Sequence, residues 1–144
     1  MAHCRTQIRQ AITAGLAAAT TAATVSAARL VPLPVEELPA LLVFTPSEGA
    51  EDMNKSADQM RALTLTVEGH RQDDNGPALA DALDAMAAEA EPLVFSSAPA
   101  WVKEVELIST EVELTGEAVR PAGLIRLEFM VTYHVNPAAP DTPL

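Results

Sequence analysis

Cysteine is nearly missing from this 144-residue chain: Cys4 stands alone, so no internal disulfide can form and no paired-cysteine metal motif exists. Aromatic residues are almost as scarce, with one Trp, one Tyr and three Phe. A core without many large rings has to be aliphatic and thin, and part of its burial is expected from a neighbouring subunit. Also missing are a Ser-His-Asp order and a glycine-rich phosphate loop. His3, His70 and His134 fall in a terminus and on two polar strand faces, where solvated side chains are the plain reading. His3 beside Cys4 is too little for a metal site. No catalytic residue, cofactor or metal is therefore expected, and a small hydrolase working through His70 or His134 is the enzymatic alternative.

Basic residues are also few: nine Lys and Arg against 20 Asp and Glu give a formal charge of −11. Residues 1–30 hold Arg5, Arg9 and Arg29 with no acid, so they carry +3 and leave −14 for the remainder. A surface of that sign repels phosphate and excludes wrapping or sequence-reading of nucleic acid, though not a passage through which nucleic acid slides. The length fits one domain, and the lone cysteine favours the reducing cytosol. One alternative comes from the N-terminus, where Arg5 and Arg9, the apolar residues 11–25 and then Ser26-Ala27-Ala28 follow the order of a secretory signal. A secreted or periplasmic binding domain with those residues removed is the rival it implies. Against it, Ile12 and Leu16 are the only large apolar residues before Val25.

What is present is periodicity. From Gly123 to Val135 the odd positions Ile125, Leu127, Phe129, Val131, Tyr133 and Val135 are apolar or aromatic, while Arg126, Glu128, Thr132 and His134 interleave. That alternation predicts a long strand with one buried and one wetter face. Arg61 to His70 alternates likewise, through Leu63, Leu65 and Val67. Ala40 to Thr45 is a short apolar run, expected to be a strand buried on both faces, and Val25 to Leu30 another short strand. In Trp101 to Leu114 the apolar set moves from odd positions (Val105, Leu107) to even ones (Ile108, Val112, Leu114), which predicts a bulge near 107–108.

Two helices are expected. Ile8, Ile12, Leu16 and Ala19 are spaced as a narrow stripe, ended by Thr20, Thr21 and Thr24, with Gly15 allowing close approach to the sheet. Leu79, Leu83, Met86, Ala90 and Leu93 or Val94 mark the second, which starts at the Asn75-Gly76-Pro77 turn and runs to about Phe95, although Pro92 should kink it or end it early. Pro32, Pro34 and Pro39 make 31–39 an extended connection, and Ser47 to Gln59, polar and without apolar period, reads as a mobile loop. Residues 115–122 are expected to form the tip of a long hairpin. The fold class is α/β (α+β): a mixed, mostly antiparallel sheet of four to five strands packed by two helices, in one domain over 1–136 with a Pro-rich, disordered tail at 137–144.

Arg5-x-x-Ile8-x-x-Ala11, Leu38-Pro39-Ala40 before Val43-Phe44-Thr45, the loop opened by Glu48, Arg61-x-Leu63-x-Leu65-x-Val67, Asp81-x-Leu83-Asp84 and Phe129-x-Val131-x-Tyr133 form an ordered set over nearly the whole chain. In order, size and acidity this set resembles the tail terminator family of long-tailed bacteriophages. Head-to-tail connector and neck proteins, and gene-transfer-agent counterparts, are close alternatives. The resemblance implies a homohexameric ring that sits on the last ring of tail-tube protein, ends tube growth, meets the head-completion or connector protein, and lets DNA pass through its pore. It places the protein in the virion, at the head-proximal end of the tail. Candidate pore-lining or interface residues are Glu48, Glu51, Asp52, Asp81, Asp84, Trp101 and Arg120.

Overall fold

The computed structural model describes residues 1–27, 34–53, 55–73, 75–115 and 121–144, and the backbone alone at 35. The elements follow in the order α1 (Cys4–Ala19), β1 (Thr24–Ala27), β2 (Ala40–Asp52), β3 (Gln59–Gln72), α2 (Gly76–Ser97), β4 (Glu104–Thr115) and β5 (Ala122–Val135), with a short 3-10 turn at Val35–Glu37. They form a five-stranded mixed sheet in the order β1-β2-β3-β5-β4. Among the described residues only the β1–β2 pair is parallel; every other pair is antiparallel.

β5 lies against β3 over an unbroken register from Gln59↔Val135 to Gln72↔Ala122. Every odd residue of β5 from Ile125 to Val135 is buried, as the alternation requires. Both helices cover that one face, α1 over β1 and β2 and α2 over β3 and β5. Cys4, Ile8, Ile12 and Leu16, one per turn along α1, are fully buried, and Leu79, Leu83, Met86, Ala87, Ala90 and Val94 face inward from α2. The core is mostly aliphatic, with Phe129 and Tyr133 as its fully buried rings.

The ends of the helices follow from local chemistry. His3 Nδ1 accepts a hydrogen bond from the Arg5 N–H at 3.1 Å and caps α1. Thr20 ends the helix, its hydroxyl donating to the Leu16 carbonyl at 2.7 Å. Asn75 Oδ1 accepts from the Ala78 N–H at 2.7 Å, with Pro77 in the first turn of α2.

Several expectations are corrected. Ser47 to Gln59 is not a loop: β2 continues to Asp52 and β3 begins at Gln59, so the arm is a pair of antiparallel strands. A register shift between Phe44 and Ser47 absorbs Pro46, and beyond it ladder hydrogen bonds, not apolar burial, hold the arm, which is why no hydrophobic period marks it. Pro92 neither ends α2 nor stops it early; the helix runs five residues further, to Ser97. Pro92 and Ala88, whose carbonyl loses its helical donor, are both exposed, so water can serve that carbonyl. Gly15 approaches α2 rather than the sheet: a Cβ there would stand 1.8 Å from Ser97 Oγ.

The segment 136–144 folds back instead of straying. The Cys4 N–H donates to the Pro140 carbonyl at 3.0 Å, the Leu144 N–H to the His134 carbonyl at 3.0 Å, and Gln7 Nε2 to the Asp141 carbonyl at 3.0 Å. The connection before β2 is a 3-10 turn followed by a cis Leu38-Pro39 bond, not wholly extended. Residues 28–30 of the expected first strand, 31–33 of the connection and 116–120 of the hairpin tip lie outside the described residues.

Candidate functional site

Among the described residues β4 is an edge strand, paired with β5 on one side only. The predicted register shift is present, between Leu107 and Ser109. On either side of it Val105, Leu107, Val112 and Leu114 pair with Val131, Phe129, Ile125 and Gly123, so they share the helix-covered face. Unlike Val131, Phe129 and Ile125 on β5, they are not fully buried. α2 reaches β4 only marginally, leaving Leu107 37%, Val112 47% and Leu114 51% exposed. Ile108 in the bulge is 48% exposed and Phe95, near the end of α2, 47%. A recess of about 310 Å³ between Phe95, Pro99, Val102 and Val105 borders this row.

The other side of the same strand is acidic. Glu104, Glu106, Glu111 and Glu113 lie opposite Thr132, Met130, Arg126 and Leu124 on the face that no helix covers. A hydrogen bond with Glu106, and then its charge, raises the Glu104 carboxyl above its ordinary value. Arg126 stands among the acids: its Nε donates to Glu68 Oε2 at 3.0 Å and its Nη1 to Glu111 Oε2 at 3.2 Å, with Glu113 Oε1 at 3.8 Å. Those bonds, that to Glu68 first, strengthen the guanidinium's hold on its proton. His70 Nε2 lies 3.1 Å from Glu68 in the same cluster.

The proposed lining acids are scattered over different elements. Glu48 turns inward, with its side chain only 7% exposed. It pairs with Arg5, lies 3.7 Å from Arg61 Nη1 and accepts a short hydrogen bond from the Tyr133 hydroxyl. Burial, and then that bond to Glu48, pushes the Tyr133 phenol well above its ordinary value. This is an anchor between α1, the β2 arm and β5. Glu51 and Asp52 are exposed near the end of the arm, and Asp81 and Asp84 on the outer side of α2. Trp101, half-buried at the entry to β4, meets the Tyr133 ring edge-on with centroids 5.8 Å apart. Arg120 lies outside the described residues.

His70 and His134 do not converge. Their register partners, Leu124 and Met60, put them ten positions apart along the β3–β5 ladder, a span of roughly 30 Å. Among the described residues no three or more His, Cys, Asp and Glu side chains are grouped so as to hold a metal ion, and no helix is long and apolar enough to cross a membrane. The features missed in the sequence were the Glu48 anchor, which no local pattern marks, and the exposure of β4. For the latter, apolar residues alternating with four glutamates over 104–115 mark a strand with an apolar and a polar side, but not whether the apolar side is covered.

No protein-family model matches the chain, and no curated protein does. Among solved structures, a chain of a virion of a native gene transfer agent particle is similar over 92% of both chains, at 15% identity and a TM-score of 0.47. At that distance the likeness says nothing about what this chain does.

Proposed function

We infer that this chain is a structural virion subunit, a tail terminator that works as a homohexameric ring. In this reading the ring caps the tail tube, stops its growth and offers the surface to which the filled head attaches through a head-completion or connector protein. DNA crosses the pore in transit, and no covalent bond is made or broken. The reading rests on the ordered motif set that resembles that family, and the observation that carries it is β4. A 12-residue edge strand with bare apolar side chains is a liability in an isolated chain and an asset in an assembly. The acidic balance suits a passage for DNA because it repels phosphate. A connector or neck protein of the same build is the nearest alternative.

The secreted binding domain is disfavoured by the core. Removal of residues 1–27 would take away α1 and β1, and with them the fully buried Cys4, Ile8, Ile12 and Leu16.

The test is assembly. Purified protein should run in light scattering at about six subunits and show rings in negative stain. Added to polymerising tail-tube protein, it should narrow the tube-length distribution and appear at one tube end. A protein that stays monomeric at all concentrations and leaves tube length unchanged would sink the reading.

A further inference from the structure

The bare row on β4 needs an occupant, and two arrangements of identical chains can supply one. A two-fold contact would lay β4 against β4 of a second copy. Antiparallel pairing would be satisfied, but Glu104, Glu106, Glu111 and Glu113 would meet the same four acids with no Lys or Arg in 104–115 to separate them. Like charges across a strand pair are destabilising. A head-to-tail contact would lay β4 against the opposite edge of the sheet, where β1 is outermost.

Three observations favour that edge. The first is strand direction: β1 is parallel to β2, and the succession β2, β3, β5, β4 alternates, so β1 of a like-oriented neighbour runs antiparallel to β4 and extends the ladder in its prevailing mode. The second is charge. β1 offers Thr24, Val25, Ser26 and Ala27, all uncharged, and residues 1–27 hold no acid, so the four glutamates of β4 meet no like charge there. The third is cover. α1 sits over β1 and β2 on the face where α2 leaves β4 open, so a neighbour's α1 falls on the side of the sheet where Leu107, Val112 and Leu114 are bare.

We propose that β4 of each subunit is completed by the β1–α1 edge of the next copy, strand beside strand, with the neighbour's α1 covering the apolar row. This is a heterologous contact, the kind that closes into a ring by rotation. It deepens the ring reading above and rests on it.

The experiment uses the full chain. Val112→Glu with Leu114→Glu puts charges on side chains that are half exposed in the single subunit, so the fold, and the melting temperature at dilutions where the unaltered protein is also dissociated, should stay as they are. Association should weaken by about a hundredfold or more, since two carboxylates would be buried unpaired in the contact. Ala27 and Val112 share the helix-covered face through their partners Val43 and Ile125, so an Ala27→Cys and Val112→Cys double variant treated with a short bismaleimide should give a ladder of multimers. Dimers cross-linked through Val112→Cys alone would show the two-fold contact and overturn the proposal. Rings that survive the double glutamate variant, with no ladder, would overturn it and leave the ring reading standing. Absence of any ring from the unaltered protein would overturn both.

Discussion

Leu127, Phe129 and Val131 on β5 and Leu107, Val112 and Leu114 on β4 lie on the same face of the same sheet, one strand apart. The first three are buried to within a few per cent; the second three are 37% to 51% exposed. Their sequences do not differ in kind, since both strands alternate apolar with polar. The difference is one of cover: two helices suffice for four strands, and the fifth is left over. Alternation therefore reports which way a side chain faces, while whether anything lies across from it is decided elsewhere in the chain or outside it.

The comparison can be broken most directly at its covered half. Phe129→Ala should destabilise the subunit by about 3–5 kcal/mol in urea titration, because its site is closed on all sides and a cavity remains. A loss under 1 kcal/mol would mean that the face is as loosely covered there as at β4. Next in size is Glu48→Ala, expected to cost about 3 kcal/mol by leaving Arg5, Arg61 and the Tyr133 hydroxyl without their buried carboxylate. Faster hydrogen exchange in the β2 arm should accompany it; unchanged exchange would mean the arm is held without the anchor. Gly15→Ala tests how closely the two covering helices meet: a methyl group 1.8 Å from Ser97 Oγ and 2.5 Å from its Cβ should cost about 1–3 kcal/mol, as overpacking does. Ser97→Gly in the same chain should restore most of that loss. Both helices of the covered half would then be shown to pack as one layer.

Smaller effects sharpen the contrast. Burial, and then the Arg5 charge, lowers the His3 pKa below its ordinary 6.5, and the neutral ring is what accepts the Arg5 N–H. Because the folded value is depressed, this contribution is present at neutral pH and is lost as pH falls from 6.5 through that lower value. His3→Gln should flatten the fall in stability over that window, by roughly 0.5 kcal/mol, the low end for a helix cap. Smallest of all, Val112→Ala measured on dilute single subunits should change stability by less than about 0.5 kcal/mol. A larger loss would show that β4 is covered within its own chain after all.

The sheet itself was legible because β3 and β5 carry strict alternation over long runs, and so was the break near Leu107, where the apolar set changes parity. The β2 arm was not. Its ladder bonds use backbone groups that every residue owns, so Glu48 to Asp52 look like loop residues although they pair with 59–63. The Glu48 anchor was hidden for a related reason. A carboxylate in a polar stretch looks solvated, and its three partners come from positions 5, 61 and 133, which only the fold brings together. Pro92 misled in the opposite direction, since a proline whose orphaned carbonyl faces water leaves a helix able to continue.

The edge-on contact between Trp101 and Tyr133 gives this molecule a built-in optical gauge. With one indole and one phenol in the chain, the near-ultraviolet emission comes from a single spot, where the entry to β4 meets the buried carboxylate anchor. Excitation taken up by the phenol should pass to the indole at so short a range, so a change in the tryptophan spectrum on mixing copies would register events at that junction with no dye attached.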